Sequence, residues 1–341
     1  MLIRAKAPLR ISFGGGGTDV SPYADERGGI VLNSTINRFA YATLFPNENN
    51  DIKVLSLDYD LSVNYSIEEE FAFNGQLDLV KGVLKKVRKR FDFPSGFQLY
   101  LQNDAPPGSG LGSSSTMVVA ILRVLQEWLK ISWTQYELAE LAYEIERIDL
   151  CMTGGRQDHY ATVFGGFNLM EFNGSRVIVN PLIIKAEIIY ELEYSILLVY
   201  LKGLRDSSNI INEQVENYKN KDQVALSAMD RLKEIAVQMK HNLLKGEIKD
   251  LGYLLHEEWE HKKKIAKGIT NQYIDAVYEE ARRAGAIGGK ILGAGGGGYM
   301  LLLCDPIRRH LVMERVQQVG GQIAHFQFVN NGIQAWSLLN R

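Results

Sequence analysis

Cysteine is scarce in this chain. Its two residues, Cys151 and Cys304, stand far apart and outside any partner motif, which argues against a disulfide framework and a cysteine-ligated zinc. Charge of one sign is lacking too. A formal net charge of -2 over 341 residues offers no polyanion-binding surface, so no nucleic-acid partner is expected. The longest apolar runs, such as Ile196–Leu201 and Tyr299–Cys304, are far too short to span a bilayer. The opening residues Met1-Leu2-Ile3-Arg4-Ala5-Lys6 carry neither a long apolar core nor a cleavage-like site and do not read as a signal peptide. Together these absences predict a soluble, cytoplasmic protein with no membrane partner. His256 and His261 flank a Glu-rich helical stretch, but five residues turn a helix by about 140°, so the pair cannot share one ion. The six histidines are otherwise scattered and receive no role.

What is present is ordinary globular material: 46% hydrophobic and 23% charged residues, enough for two lobes. The basic patches Lys85–Arg90 and Lys262–Lys264 fall in helix-like stretches and read as solvated faces. Leu9–Phe13, Thr35–Leu44 and Phe97–Leu101 read as strands, and Leu77–Phe91 has helical spacing. Met117, Val118, Ile121, Val124, Leu125 and Trp128 form one helical stripe. Thr134 followed by Glu137 predicts a capping box. Past Pro181 come long helical stretches, among them Gln223–Lys245 and Leu251–Lys267. Asn271 predicts a cap for Gln272–Ala284, and Gly285 its end. Tyr299–Leu303, Gln322–Val329 and Gln334–Leu338 read as strands. The expected organisation is an N-terminal lobe over 1–185 and a C-terminal lobe over 186–341.

The most informative segment is Pro106-Pro107-Gly108-Ser109-Gly110-Leu111-Gly112-Ser113-Ser114-Ser115, directly before the helical stripe. Glycines let backbone approach an anion, and the helix start presents free N–H groups with a partial positive charge. Serines add caps and hydroxyl donors. The loop lacks the Gly-Lys-Ser/Thr of a Walker loop, and its glycines are spaced G-x-G-x-G rather than G-x-G-x-x-G. His-Arg-Asp and Asp-Phe-Gly, the protein-kinase signatures, are absent. A carboxylate stands in a second glycine-framed loop, Gly154-Gly155-Arg156-Gln157-Asp158. Taken alone, Asp158 reads as a turn residue bonding its own backbone. Glu146, with Glu144 nearby, reads alone as a solvated helix residue.

The loop resembles the second motif of the GHMP kinase family. Ala7-Pro8-Leu9-Arg10-Ile11-Ser12-Phe13-Gly14-Gly15-Gly16-Gly17-Thr18-Asp19 resembles the first motif, and Lys290-Ile291-Leu292-Gly293-Ala294-Gly295-Gly296-Gly297-Gly298-Tyr299 the third. The three stand in the family's order across nearly the whole chain. The resemblance implies an α+β, two-lobe fold: an N-terminal lobe like ribosomal protein S5 domain 2, a ferredoxin-like C-terminal lobe, and an active site between them. It implies ATP and Mg2+ as cofactors and a monomer or homodimer. Pro107, Gly108, Ser109, Gly110, Leu111, Gly112, Ser113, Ser114 and Ser115 would bind ATP. Asp158 would be the base and Arg10 its charge partner. Ser114 and Glu146 would hold magnesium, an ion that prefers hard oxygen ligands.

For the acceptor the resemblance implies a sugar bound by Gly17, Thr18, Asp19, Arg156, Gly295 and Gly296. Where galactokinases have Gly-Glu-His-Thr-Asp, this chain has Gly15-Gly16-Gly17-Thr18-Asp19, which speaks against galactose. The first motif's glycines, Gly154-Gly155-Arg156-Gln157-Asp158-His159-Tyr160-Ala161 and the third motif resemble a bacterial subgroup that phosphorylates anomeric hydroxyls, of heptose 7-phosphate or of fucose-type sugars. Gly203–Ile211 resembles it too. There Arg205 and Ser207 would hold a second phosphate, or form an N-cap with a surface arginine. The expected product is heptose 1,7-bisphosphate, for GDP-heptose and surface polysaccharide. A galactose- or uronate-type acceptor, a non-catalytic sugar and ATP sensor, and a decarboxylase on the same fold stay open alternatives.

Overall fold

In a computed structural model, residues 1–201 and 207–338 are described. The strands in chain order are β1 (Leu2–Gly14), β2 (Gly29–Pro46), β3 (Asp51–Ser56), β4 (Leu61–Ser66), β5 (Phe97–Asn103) and β6 (Phe167–Asn173). They continue with β7 (Arg176–Pro181), β8 (Ile196–Leu201), β9 (Ala286–Ile291), β10 (Gly298–Cys304), β11 (Gln322–Ala324) and β12 (Gln334–Leu338). Eight form one sheet in the order β12-β1-β2-β5-β3-β4, with β6 also paired to β2 and β7 to β6. All its pairings are antiparallel except β3 with β5. The other four form an antiparallel sheet, β11-β8-β10-β9.

Strand β1 contributes to two of the three hydrophobic clusters. Ile3, Ala5 and Ala7 pack in the cluster built by the helix Ser113–Leu129, with Val118, Ile121 and Leu125. Beyond a register shift between Pro8 and Leu9, the same strand gives Leu9, Ile11 and Phe13 to a cluster with Ile235, Met239 and Leu301. Side chains alternate across a strand, so Arg10 and Ser12 point to the opposite side, into the cleft between the lobes. The second sheet explains the continuous apolar runs. Leu198, Leu301 and Leu303 face β1, whereas Leu197, Val199, Met300 and Leu302 face the helices with Trp259 and Tyr278. A sheet buried on both faces needs no polar alternation.

Local signals are realised closely. Thr134 Oγ1 accepts from Glu137 N at 3.2 Å, and Glu137 returns the bond to Thr134 N at 2.8 Å. Asn271 caps Gln272–Ala284 through Ile274 N at 3.0 Å. Three readings change. The helix expected over Leu251–Lys267 runs Ile248–Lys262. The strand expected over Gln322–Val329 shrinks to β11. Its remainder bonds irregularly along β2, with Asn37 N donating to Gln327 O at 2.9 Å and Val329 N to Thr35 O at 3.0 Å. And β12 returns from the C-terminal half to pair with β1, so a cut between 185 and 186 does not separate the sheets.

The helix Ile248–Lys262 lies so close to β9 that a Cβ at Gly288 would sit 1.9 Å from Gly252 O. That approach brings Glu258 against Lys290, both wholly buried, in an ion pair. Glu258 Oε2 also accepts from Gly15 N at 3.2 Å, and Lys290 Nζ donates to Phe13 O at 3.2 Å. Removing one partner of such a pair strands a charge in a low-dielectric interior. Lys290→Met is therefore expected to cost about 3–5 kcal/mol, read as a lower urea midpoint. Pairing it with Glu258→Met should recover most of the loss; a single variant as stable as wild type would refute this.

Candidate active site

The phosphate-loop segment closes against β10 and opens the helix Ser113–Leu129. Gly108, Gly110 and Gly112 have φ of 74°, 88° and 80°. Gly112 is required twice over: its backbone is left-handed, and a Cβ would press 3.1 Å from Asp158 Cγ. No described side chain caps the helix, so its first-turn N–H groups serve the cleft. Pro107, Gly108, Gly110 and Gly112–Ser115 line that cleft, about 630 Å³ in volume. Leu111 and Ser109 do not. Leu111 is core, and Ser109 O accepts from Tyr299 N at 2.9 Å, tying the loop to β10.

Arg10 crosses beneath the loop. Its Nε donates to Asp158 Oδ1 at 2.6 Å and its Nη1 to Gly110 O at 2.5 Å. Arg10 is 3% exposed, so this is a charge pair largely removed from water. Asp158 lies in the first turn of the helix Gln157–Phe164, where the helix dipole also favours an anion.

Glu146 sits in a π-helical turn, Glu144–Asp149, a local widening that often marks functional positions. It is fully buried, and Ser114 Oγ donates to its Oε1. Its Oε2 accepts from Ser115 Oγ at 2.6 Å, meets His159 Nε2 at 2.7 Å and pairs with Arg147 at 3.4 Å. Burial by itself would raise the carboxyl's pKa. The Arg147 charge, the His159 contact and the Ser114 hydroxyl outweigh it and hold the pKa below the ordinary carboxylate range. His159, given no role above, thus belongs to this network.

On the acceptor side the expectations divide. Asp19, 1% exposed, lines the cleft, and its carboxylate accepts from Gln157 N at 3.0 Å, Gln157 Nε2 at 3.2 Å and Gly17 N at 3.1 Å. Gly17 lines the cleft too, its carbonyl accepting from Gln214 Nε2 at 2.7 Å. Thr18 does not reach it: its hydroxyl is bound at Gly15 O (2.7 Å) and Ile30 O (3.1 Å), closing the turn. Arg156 also points elsewhere, donating to Gly174 O and to Asp25 Oδ1 (2.8 Å) over the Tyr143 ring. Gly295 and Gly296 brace against Ile269, and it is Gly293 and Ala294 of that motif that line the cleft. Arg205 lies outside the described residues, and Ser207 opens the helix Ser207–Lys219.

Among the cleft residues that escaped sequence reasoning are Ser12, Gln157, Gln214 and Lys262. Lys262, expected on a solvated face, is 4% exposed. A signal existed, because Trp259, Lys262 and Ile265 recur every three residues and all are buried.

Similarity to known proteins gives this fold and cleft their class, a kinase: a phosphotransferase with an alcohol group as acceptor. The family model for the GHMP kinases N terminal domain matches residues 78–166, and that for the GHMP kinases C terminal matches 239–322. The chain is 38% identical over 98% of its length, and 99% of the relative's, to a D-glycero-alpha-D-manno-heptose 7-phosphate kinase of Campylobacter jejuni. A crystal structure of a D-glycero-D-manno-heptose 1-phosphate kinase from Bacteroides thetaiotaomicron superposes with TM-score 0.84 at 38% identity, covering 99% of this chain and 100% of that one. Lactococcus lactis galactokinase, at 18% identity, shares the fold: TM-score 0.78, with 98% of this chain and 95% of that one covered. The chain belongs to the GHMP kinase family, whose members depend on ATP. No described helix is long and apolar enough to cross a membrane.

A carboxyl held below its ordinary pKa stabilises the fold above the unfolded value, and the contribution disappears as pH falls. Stability should decline below about pH 5, with Glu146 adding up to ~1.4 kcal/mol per pH unit. Glu146→Gln should flatten that part of the curve of thermal midpoint against pH. A profile parallel to wild type would contradict the charge assignment.

Proposed function

We propose that this protein is an ATP-dependent sugar 1-kinase that phosphorylates the anomeric hydroxyl of D-glycero-D-manno-heptose 7-phosphate, giving the 1,7-bisphosphate for GDP-heptose and surface polysaccharide. End-to-end similarity to a heptose 7-phosphate kinase carries the substrate class. The Arg10–Asp158 pair, set between the phosphate loop and Asp19, supports the reaction type. The names of the two heptose relatives put the phosphate on different carbons, so the position phosphorylated must be read from the product.

In this reading the loop N–H groups and Ser113 hold the nucleotide phosphates. Asp158 accepts the proton of the anomeric hydroxyl as its oxygen attacks the terminal phosphorus and the bond to the ADP oxygen breaks. Arg10 keeps Asp158 aimed, because its rigid guanidinium is anchored to Gly110 O. Asp19, oriented by Gln157, accepts hydroxyl hydrogens of the sugar. Glu146 and Ser114 present adjacent hard oxygens beside the loop and fit magnesium, which keeps water and phosphate ligands and needs few from protein. Bound there, magnesium would neutralise charge on the transferring phosphates. Ser115, His159 and Arg147 hold the other Glu146 oxygen, which fixes the carboxylate's orientation.

Two measurements test this. Phosphorus NMR of the product from ATP, magnesium and heptose 7-phosphate should show a new phosphate at C1; turnover of unphosphorylated fucose or galactose without turnover of the heptose phosphate would overturn the substrate. Asp158→Asn should lower kcat by about 10²–10⁴-fold while ATP still binds. Near-wild-type kcat would remove Asp158 from the base role.

A further inference from the structure

One wall of the cleft comes from the C-terminal half, where the helix Ser207–Lys219 brings Ile211, Asn212 and Gln214 to it. That helix is fixed where it meets the first glycine-rich turn. Tyr218 packs edge-on against Tyr23, and its hydroxyl donates to Glu26 Oε2 at 2.7 Å. Asn217 Nδ2 donates to Ile265 O at 2.8 Å. Gln214 is 8% exposed, and its Nε2 donates to Gly17 O at 2.7 Å. A carbonyl only accepts, so the amide must turn its NH2 to Gly17, which fixes where Oε1 stands. Oε1 receives no hydrogen bond from a described residue, and Gln214 lines the cleft. The amide rests on bare backbone: a Cβ at Gly17 would lie 3.2 Å from Oε1, 3.5 Å from Nε2 and 3.7 Å from Cδ. Gly17 N in turn donates to Asp19 Oδ1 at 3.1 Å. Two acceptors, the Asp19 carboxylate and Gln214 Oε1, are thus joined through one glycine of the turn. Oxygen acceptors set together favour hydroxyl hydrogens and disfavour phosphates and carboxylates, which have none to give at neutral pH. An acceptor left unmet when a ligand displaces water from it costs binding free energy.

We propose that Gln214 is a specificity-determining residue for the acceptor: held on Gly17 through Nε2, it takes a hydroxyl hydrogen of the sugar on Oε1, beside those that Asp19 takes. The wall built by the helix Ser207–Lys219 thereby recognises the hydroxylated edge of the sugar and not a charged group on it. The inference rests on the cleft's being a sugar-kinase site and on no particular sugar, so it stands or falls apart from the heptose reading.

The test is a cycle between protein and substrate. Wild type and Gln214→Met are compared on the acceptor that wild type uses, heptose 7-phosphate or, where that is not turned over, fucose or galactose. Both are then given the single-deoxy analogues of that sugar, with the KM for ATP measured alongside. Gln214→Met should lower kcat/KM for the full sugar about 5- to 50-fold more than for one of its deoxy analogues, through the sugar's KM. That analogue lacks the hydroxyl whose bond the variant has lost, so it has less to lose. The KM for ATP should not change. A side chain that only held the turn would lower every acceptor alike. Equal losses on the full sugar and all its deoxy analogues, a change confined to the KM for ATP, or an unaltered kcat/KM overturns the assignment. Gln214→Ala is read by the same criteria if Gln214→Met does not fold. Turnover of fucose or galactose in place of heptose 7-phosphate, with the same selective loss, refutes the heptose reading alone. If wild type turns over no acceptor, calorimetric binding of heptose 7-phosphate and its deoxy analogues is read in the same way, and no binding to wild type overturns the assignment.

Discussion

The buried ion pair between Glu258 and Lys290 holds the first glycine-rich turn to the second sheet. Lys290 grips Phe13 O, and Glu258 grips Gly15 N, so both charges of the pair end on backbone of the other lobe. Isolated, either charge would be strongly disfavoured in that interior. Together they specify one arrangement of the lobes about the end of β1. The cleft floor depends on it, because Arg10, Ser12, Gly16 and Asp19 all follow from where that strand and turn are held.

Strand β1 divides labour by simple alternation. Its odd residues from Ile3 to Phe13 are core, and Arg10 and Ser12 on the other face meet the cleft. A phosphotransfer site needs charged groups held still and away from bulk water. Setting them on a strand whose opposite face is packed achieves both. The phosphate loop is similarly held: Ser109 O to Tyr299 N on one side, Leu111 O to Arg10 N at 3.1 Å on the other. A flexible glycine chain is thereby held in one shape, so any ligand it binds meets a loop whose ordering entropy is already spent.

Much of this was legible in the residues because the signals are local. The Thr134–Glu137 box, the Asn271 cap and the glycine loop before an apolar stripe each act within one turn of chain. What failed was side-chain direction within a correctly placed motif. Thr18 sits in the expected turn, yet its hydroxyl closes that turn at Gly15 O and Ile30 O. Arg156 neighbours Gln157 and Asp158, yet the start of a helix sends it the other way, to Asp25 and Gly174 O. Lys262 failed in the opposite sense: a run of three lysines suggests solvent, but one of the three shares the buried stripe of Trp259.

By itself the sequence determined the kinase family, the position of the glycine- and serine-rich loop before its helix and the carboxylates that stand in the motifs around it, since these rest on residue type, spacing and backbone freedom. The tertiary structure alone decided which of them meet. Arg10 and Asp158 are far apart in the chain and 2.6 Å apart in space, and Ser115, His159 and Glu146 converge from three segments. The return of β12 to β1 was equally invisible, because a strand's pattern states that it will pair and not with which edge. Contacts between distant segments follow from how two of the three hydrophobic clusters pack against one shared strand, and no local pattern encodes that choice.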